Sequence, residues 1–357
     1  MINEPRVRPS ISELPAYKAG KKVSGTGALA PFKLSSNENP NVPLPSVLKA
    51  IAEAAAEIHR YPDPFSTRLV EALATRFDVA PQHIGVGTGS VGVCQQLVQS
   101  TADAGDEIIF AWRSFEAYPI IAKIAGAMSV QVPLRADGGH DLDAMLAAIT
   151  DRTRLIFVCT PNNPTGTIVT QEEMDHFLAK VPSHILVVVD EAYVEFNCDN
   201  SAVDGMKCFR EHTNVGVLRT FSKAYGLAAL RVGFFIGPEN VAQAVRMTAV
   251  PFGVSSIAEA AAIASLNAED ELLTRVNELV ARRAWFTDNL DELGISYLSS
   301  QANFVWLPLG QHTEHFATLC EQQAVSVRPF FGEGVRISIG EQEPLERILV
   351  LLKELDS

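Results

Sequence analysis

Between about residue 85 and residue 236, short apolar runs alternate with stretches whose apolar residues recur every three or four positions. The first pattern is typical of strands buried on both faces, and the second of amphipathic helices. The chain therefore predicts an α/β fold, with a mostly parallel sheet flanked by helices. The predicted strands span 107–111, 129–133, 155–159, 185–189, 215–218 and 232–236.

The pattern changes after Phe252-Gly253, where a smaller α+β unit is predicted. Its helices span 256–266, 268–293, 313–323 and 345–355, and its short strands 295–298, 303–307, 326–328 and 335–339. Prolines and glycines break up the first residues of the chain. We therefore predict an irregular N-terminal arm over 1–36, a large domain over 37–255 and a small domain over 256–357.

Composition narrows the possible partners and location. The 357 residues carry a formal net charge of −13, which disfavours broad attraction to nucleic acid or to anionic lipid. Five scattered cysteines fit reduced thiols better than a disulfide framework. The sequence has neither a signal-peptide pattern nor an apolar run of about 20 residues. We expect a cytoplasmic protein that binds small molecules and no membrane.

Lys223 is the first candidate for chemistry. It follows a predicted strand on a turn, with Thr220 and Ser222 beside it and Arg231 eight positions later. Two hydroxyl groups and a guanidinium can bind a phosphate dianion. A desolvated amine next to another cation has a lowered pKa and attacks aldehydes. A surface Ser-Lys loop is the alternative for this stretch taken alone.

Three more loops are expected at the same edge of the sheet, where parallel strands end. The glycine-rich run 87–92 enters a helix, and its amides suit a phosphate. Asn163 lies in a Pro/Asn/Gly turn and can donate to a phenolate oxygen. Asp190 ends an apolar strand and needs a cationic partner, such as a protonated pyridine nitrogen. The alternatives are a plain tight turn, an ordinary Pro/Asn turn and a helix N-cap.

Together these stretches provide the amine, the acid, the ring-oxygen donor and the phosphate site that pyridoxal 5′-phosphate requires. The chain resembles the fold type I, pyridoxal-phosphate-dependent aminotransferases of classes I and II, in particular the histidinol-phosphate aminotransferase branch of class II. The runs 89–97, 111–119 and 300–307 are similar to aromatic amino acid (phenylalanine) aminotransferases of actinobacterial type.

The resemblance implies a role for each matching residue. Lys223 would form the Schiff base and carry the proton, Asp190 would pair with the pyridine nitrogen, and Tyr193 and Asn163 would bond the ring hydroxyl. The other implied cofactor contacts are Ser90, Val91, Phe115, Thr220, Ser222, Arg231 and, from the neighbouring subunit of a homodimer with a shared active site, Tyr61. The implied substrate contacts are Arg336, Asn39, Tyr17 and Arg328. The histidines form no metal-binding pattern.

The implied activity is transamination of phenylalanine, tyrosine or tryptophan with 2-oxoglutarate, which gives arylpyruvates and glutamate. The alternative is histidinol-phosphate aminotransferase, in which Arg328 would take the substrate phosphate. In an aromatic enzyme Arg328 would have only a structural role. A β-lyase or decarboxylase on the same scaffold and a non-catalytic regulator are further alternatives. Because the chain is acidic and its enzyme-like pattern begins by Leu14, we do not expect the DNA-binding module of such a regulator.

Overall fold

The structure, a computed structural model, describes residues 5, 7–12, 14, 20 and 29–355. The helices of this part of the chain are α1 Pro9–Ser12, α2 Pro45–Ala55, α3 Thr67–Phe77, α4 Gly89–Thr101, α5 Ala117–Ala125, α6 Leu142–Ala147, α7 Gln171–Leu178, α8 Gly205–Glu211, α9 Glu239–Met247, α10 Ser256–Asn267, α11 Glu269–Glu292, α12 Thr313–Gln322 and α13 Gln342–Leu355. The strands are β1 Phe32–Lys33, β2 Ile84–Gly87, β3 Glu107–Trp112, β4 Met128–Pro133, β5 Thr153–Cys159, β6 Leu186–Asp190, β7 Val215–Thr220, β8 Gly233–Ile236, β9 Phe304–Leu307, β10 Val325–Ser326, β11 Arg328–Phe330 and β12 Gly334–Ser338.

Seven strands form the main sheet, in the order β2-β8-β7-β6-β5-β3-β4. All pairs are parallel except the two made by β8, which runs antiparallel to β2 and to β7. The predicted mostly parallel sheet is confirmed. Because six strands point the same way, their carboxyl ends lie along one edge.

Both faces of the sheet are covered, as the apolar strands require. In β6, Leu186 and Val188 pack into a core with residues of α4 and α5. Val187 and Val189 point the other way, into a core with residues of α6 and α7. This alternation follows from the two-residue period of a strand. A polar side chain at the end of β6 is therefore held at a rigid position.

The C-terminal part contains an antiparallel sheet in the order β11-β12-β9. The end of the predicted arm is tied to this part, because β1 pairs with β10 and the Leu34 amide donates to the Ser326 carbonyl at 2.8 Å. The amide of Ser338 in turn donates to the carbonyl of Leu34 at 2.9 Å. These contacts carry the chain from residue 34 onwards to the edge where the parallel strands end.

Several predicted elements need correction. The predicted strand 295–298 is wrong, since only an isolated bridge joins Leu298 to Trp306. The sequence analysis did not predict β1 inside the arm, β2 at the edge of the main sheet, or the helices α8 and α9. The division into arm, large domain and small domain stays a prediction. None of the described helices is both long and apolar enough to cross a bilayer.

Candidate active site

A cavity of about 250 Å³ lies where the parallel strands end. Its walls include most of the residues singled out from the sequence: Ser90, Val91, Phe115, Asn163, Asp190, Tyr193, Thr220, Ser222, Lys223, Arg231, Arg328 and Arg336. Strand β5 positions Asn163, β6 positions Asp190 and β7 positions Lys223, because each of these residues lies within four positions of the end of its strand. The fold thus brings together residues that are up to 246 positions apart in the chain (90 to 336).

Lys223 lies on the turn after β7 and is partly buried. Its Nζ atom donates to the carbonyl oxygen of Ser36 at 3.2 Å. Burial, together with the nearby Arg336, lowers the pKa of this amine to about 7. A substantial fraction of the amine is therefore neutral near neutral pH, which is the form that attacks an aldehyde.

Asp190 ends β6 and is 3% exposed. Its Oδ2 atom accepts a hydrogen bond from the hydroxyl of Tyr118 at 2.5 Å. Its Oδ1 atom is buried and has no hydrogen-bond partner among the residues that the structure describes. Burial raises the pKa of Asp190, and the hydrogen bond from Tyr118 lowers it. Burial has the larger effect, so the pKa is raised to about 6. An orphaned buried carboxylate oxygen beside a cavity is costly unless a ligand supplies a donor or a cation.

Hydroxyl groups, amides and a guanidinium line one end of the cavity. Thr220 Oγ1 donates to Ser222 Oγ at 3.0 Å, and Arg231 Nη1 donates to Ser222 Oγ at 3.3 Å. Ser90 lies in the first turn of α4, where backbone amides lack helical partners. This combination suits a phosphate group.

Two glycines allow the close approach of these groups. A Cβ atom on Gly89, whose φ is +77°, would lie 2.3 Å from Nη2 of Arg231. A Cβ atom on Gly233 would lie 2.5 Å from the amide nitrogen of Ser90. Any larger residue at either position would push the guanidinium or the helix start out of place. These two glycines therefore shape the candidate phosphate site.

The opposite side of the cavity holds Asn163 and Tyr193. Arg336 Nη1 donates to Asn163 Oδ1, and Asn37 Nδ2 donates to the Tyr193 hydroxyl at 3.0 Å. Burial raises the pKa of Tyr193, so the phenol stays protonated. With its Oδ1 engaged, Asn163 presents its amide nitrogen, a donor, to a ligand.

Of the substrate contacts implied by the resemblance, Arg336 and Arg328 line the cavity and Asn39 does not. Arg336 is 8% exposed and donates to the Ser35 carbonyl oxygen at 2.9 Å. Arg328 also lines the cavity but is paired with Glu116, at 2.6 Å between Nη2 and Oε2. Asn39 is not part of the wall: its Nδ2 donates to the carbonyl oxygen of Ala224 at 2.9 Å, next to Lys223. Asn39 thus supports the lysine turn in this chain.

Two residues cannot be placed in the cavity. Tyr61 is 83% exposed and contacts Phe252 with ring centroids 4.7 Å apart, away from the cavity walls of its own chain. Tyr17 lies outside the described residues. The roles assigned to both, like the other roles implied by the resemblance, stay predictions.

Sequence reasoning missed three residues whose side chains pair with predicted residues of the site. Tyr118 is the partner of Asp190, Asn37 is the partner of Tyr193, and Glu116 is the partner of Arg328. Asn37 lies in the polar run 35–39, which was a usable signal. Tyr118 and Glu116 follow Phe115 closely, but nothing in their spacing indicates partners that are 72 and 212 positions away.

The family model of aminotransferase class I and II matches residues 31–352, and the chain belongs to this family. It is 58% identical to a protein named aromatic amino acid aminotransferase from Streptomyces coelicolor, over 98% of this chain and 97% of that one. A protein of the same name from Thermobifida fusca is 52% identical over the same shares. The histidinol-phosphate aminotransferase of Sinorhizobium meliloti, solved in complex with pyridoxal 5′-phosphate, has a TM-score of 0.87 and 29% identity, over 98% of this chain and 97% of that one. The resemblance and fold class predicted from the sequence are confirmed.

The described residues fit pyridoxal 5′-phosphate. The unpartnered Oδ1 atom of Asp190 matches the need of a protonated pyridine nitrogen. The amine of Lys223, with its pKa lowered to about 7, matches the need for a nucleophile towards the aldehyde. The hydroxyl and guanidinium groups around Ser222 match the phosphate. Among the described residues, no three His, Cys, Asp or Glu side chains are grouped as a metal site would require.

Proposed function

We propose that this protein transfers the amino group of aromatic L-amino acids to 2-oxoglutarate, with pyridoxal 5′-phosphate as its cofactor, and releases arylpyruvates and glutamate. The observation that carries the proposal is the 58% identity to an aromatic amino acid aminotransferase across nearly all of both chains. Relatives at 51–53% identity from five further actinobacterial genera or species have the same name.

The chain holds the cofactor at three points. The amides of Ser90 and Val91, the hydroxyls of Thr220 and Ser222 and the guanidinium of Arg231 bind its phosphate. Phe115, which lies edge-on to Tyr118 at 5.5 Å, would pack against its ring, and Asn163 and Tyr193 would bond its ring hydroxyl. When bound, the cofactor supplies the electron sink that stabilises negative charge at the substrate Cα atom.

Lys223 is the base and acid of the reaction. Its amine would remove the proton from the substrate Cα atom and deliver it to the C4′ atom of the cofactor, which is linked to Cα through the amino nitrogen. This needs a neutral amine at working pH, which burial beside Arg336 provides by lowering the pKa of Lys223 to about 7. The hydrogen bonds that Asn39 Nδ2 donates to the carbonyl oxygens of Lys223 and Ala224 hold the turn that aims this amine.

Asp190 keeps its negative charge opposite the pyridine nitrogen and so keeps that nitrogen protonated. Burial alone would disfavour the charge, but the hydroxyl of Tyr118 and the backbone amide of Ala192 both lower the pKa of Asp190. The protonated pyridine nitrogen would further stabilise the negative charge of Asp190 by pairing with its Oδ1 atom. Tyr118 thereby acts as a positioning residue through Asp190.

Arg336 binds the α-carboxylate of the substrate. Its planar guanidinium suits a bidentate contact with two carboxylate oxygens. Asn163 and Ser35 accept hydrogen bonds from it and fix its orientation at the end of the cavity. The substrate is thus oriented with its Cα–H bond towards Lys223.

We further propose a homodimer in which Tyr61 reaches the partner's cofactor phosphate. Five large apolar side chains are exposed on one region of the surface: Tyr61, Phe65, Met247, Val250 and Phe252. Phe65, Met247 and Val250 line adjoining depressions, and Tyr61 contacts Phe252. An exposed patch of this kind is typical of an interface.

The five free thiols support a location in the cytoplasm.

A panel of amino donors and 2-oxo acid acceptors, assayed with purified holoenzyme, tests the proposed function. We expect phenylalanine, tyrosine and tryptophan to be the best donors with 2-oxoglutarate, each giving its own 2-oxo acid. Higher kcat/KM for histidinol phosphate than for all three would replace the proposal with the histidinol-phosphate alternative. Release of carbon dioxide, or of pyruvate in place of the 2-oxo acid that matches the donor, would indicate a decarboxylase or a β-lyase.

A further inference from the structure

Two arginines lie side by side at the substrate end of the cavity. Arg328 in β11 and Arg336 in β12 are register partners in an antiparallel pair, so their side chains leave the sheet on the same face. Both line the cavity, and they are 9% and 8% exposed. Two adjacent guanidinium groups form a natural receptor for a dianion such as a phosphate ester.

Arg328, however, already has an anionic partner. Its Nη2 atom lies 2.6 Å from Oε2 of Glu116, the residue that precedes α5 and that also lines the cavity. The guanidinium of Arg328 further lies over the ring of Phe330, at 5.3 Å from its centroid. The pair is largely shielded from water, with exposed side-chain fractions of 10% and 30%, so its charges interact more strongly than a surface pair.

We propose that Glu116 is a specificity-determining residue: it keeps Arg328 from accepting the phosphate of a substrate, so the site selects amino acids with uncharged side chains over phosphate esters of amino alcohols. This inference rests on the proposed function. A phosphate dianion entering the cavity must displace the Glu116 carboxylate from Arg328 or lie beside it, and both cost binding energy. Specificity of this kind comes from a repulsive group placed against the wrong ligand.

The acceptor 2-oxoglutarate is compatible with this arrangement. Its distal carboxylate carries one negative charge, whereas a phosphate ester near neutral pH carries close to two. The repulsion from Glu116 is therefore smaller for 2-oxoglutarate. The same reasoning predicts that removing the charge of Glu116 lowers the KM for 2-oxoglutarate while it admits phosphate esters.

A second ion pair joins the same two segments and offers a matched control. Arg113 Nε lies 2.8 Å from Oε2 of Glu333. This ion pair connects the loop before α5 to the turn between β11 and β12. Neither residue of this second pair lines the cavity. Removing Glu333 therefore weakens the link between the segments without changing the charge inside the site.

The test compares Glu116→Gln and Glu333→Gln with the wild-type holoenzyme. We measure kcat/KM for phenylalanine and for histidinol phosphate, with thermal melts to show that each variant is folded. For Glu116→Gln we expect the ratio of histidinol phosphate to phenylalanine to rise about tenfold or more, the effect of one charge-assisted hydrogen bond. For Glu333→Gln we expect a ratio within about twofold of wild type, as for a site outside the cavity.

A double variant, Glu116→Gln with Arg328→Met, tests whether Arg328 is the group released. We expect no rise in the ratio, because no guanidinium is left at that position. The inference is overturned if Glu116→Gln leaves the ratio unchanged, if Glu333→Gln raises it equally, or if the double variant keeps the rise. If the wild type does not turn over phenylalanine, the proposed function is wrong. The role of Glu116 is then decided by calorimetric measurement of histidinol phosphate binding to the wild type and to Glu116→Gln. Tighter binding by the variant supports the role proposed for Glu116, and equal binding refutes it.

Discussion

The hydroxyl of Tyr118 donates a hydrogen bond of 2.5 Å to Oδ2 of Asp190, and both residues are buried. Tyr118 is stacked on Phe157, at 4.5 Å between ring centroids, so its hydroxyl cannot move far. This bond lowers the pKa of Asp190, while burial raises the pKa to about 6. A single phenol therefore helps to decide the charge of the acid that faces the cofactor ring.

We expect Tyr118→Phe to weaken the binding of pyridoxal 5′-phosphate by about tenfold or more, as for loss of a hydrogen bond to a charged group. Without the donor, the pKa of Asp190 rises above about 6, and less of the carboxylate is charged at pH 7. The loss should be smaller at pH 8, where the acid ionises again. An absorbance titration of apoenzyme with cofactor at both pH values measures it.

Tyr225→Phe is the control for this experiment. Tyr225 is also buried and also donates to a carboxylate, Glu269 Oε1 at 3.0 Å, but outside the cavity. Its removal should leave cofactor affinity unchanged. Equal losses in both variants would mean that Tyr118 acts on general stability and not on Asp190.

The pKa of Lys223 predicts the pH dependence of cofactor uptake. The pKa is lowered from 10.5 to about 7, so the amine is mostly protonated at pH 6 and mostly neutral at pH 8. The rate at which apoenzyme combines with pyridoxal 5′-phosphate should rise between these values and level off above pH 8. Free lysine in the same stopped-flow assay should show a rate that still rises towards pH 10. An enzyme rate that follows free lysine would contradict the lowered pKa.

Arg336→Met should reduce kcat/KM for phenylalanine about 100-fold, mainly through KM, because a buried charge pair with the carboxylate is lost. The reduction should be absent for phenethylamine, which has no carboxylate. Arg347→Met is the control, since Arg347 pairs with Glu343 in α13, outside the cavity. If Arg336→Met affects both amines alike, Arg336 does not bind the carboxylate.

A mixing experiment tests the shared active site. Lys223→Ala lacks the amine, and Tyr61→Ala lacks the hydroxyl that we propose to act in the partner's site. If Tyr61 acts across the interface, each mixed dimer regains one complete site, and random mixing should restore about a quarter of wild-type activity. Activity no higher than that of the separate variants would place Tyr61 in its own subunit's site or outside any site.

The sequence was sufficient for six of the seven strands of the main sheet. It was also sufficient for Asp190 and Lys223, since each lies at or near the end of an apolar run. An ionisable residue at such a place is rare without a purpose. The short helices α8 and α9 were missed because seven and nine residues give little periodicity. The prediction of a strand at 295–298 was wrong. Ile295 and Tyr297 are residue types that favour strands, but this segment pairs with β9 through a single bridge, between Leu298 and Trp306.

Pairings between distant residues could not be predicted in this way. Glu116 and Arg328 come together only because the loop before α5 and strand β11 face each other in the fold. Asn39 has the polarity of a ligand contact, yet its amide bonds the backbone next to Lys223. Residue type indicated which groups belong near the site, and three-dimensional packing decided which of them face the cavity.

Borohydride reduction of the holoenzyme, followed by peptide mass spectrometry, tests the central claim most directly. We predict a pyridoxyl group on the peptide that contains Lys223, and none at Lys33, a nearby lysine paired with Glu38 at 2.8 Å. Lys223→Ala should lose both the adduct and turnover, and Lys33→Ala should keep both. An adduct on another lysine, or full activity of Lys223→Ala, would contradict the account.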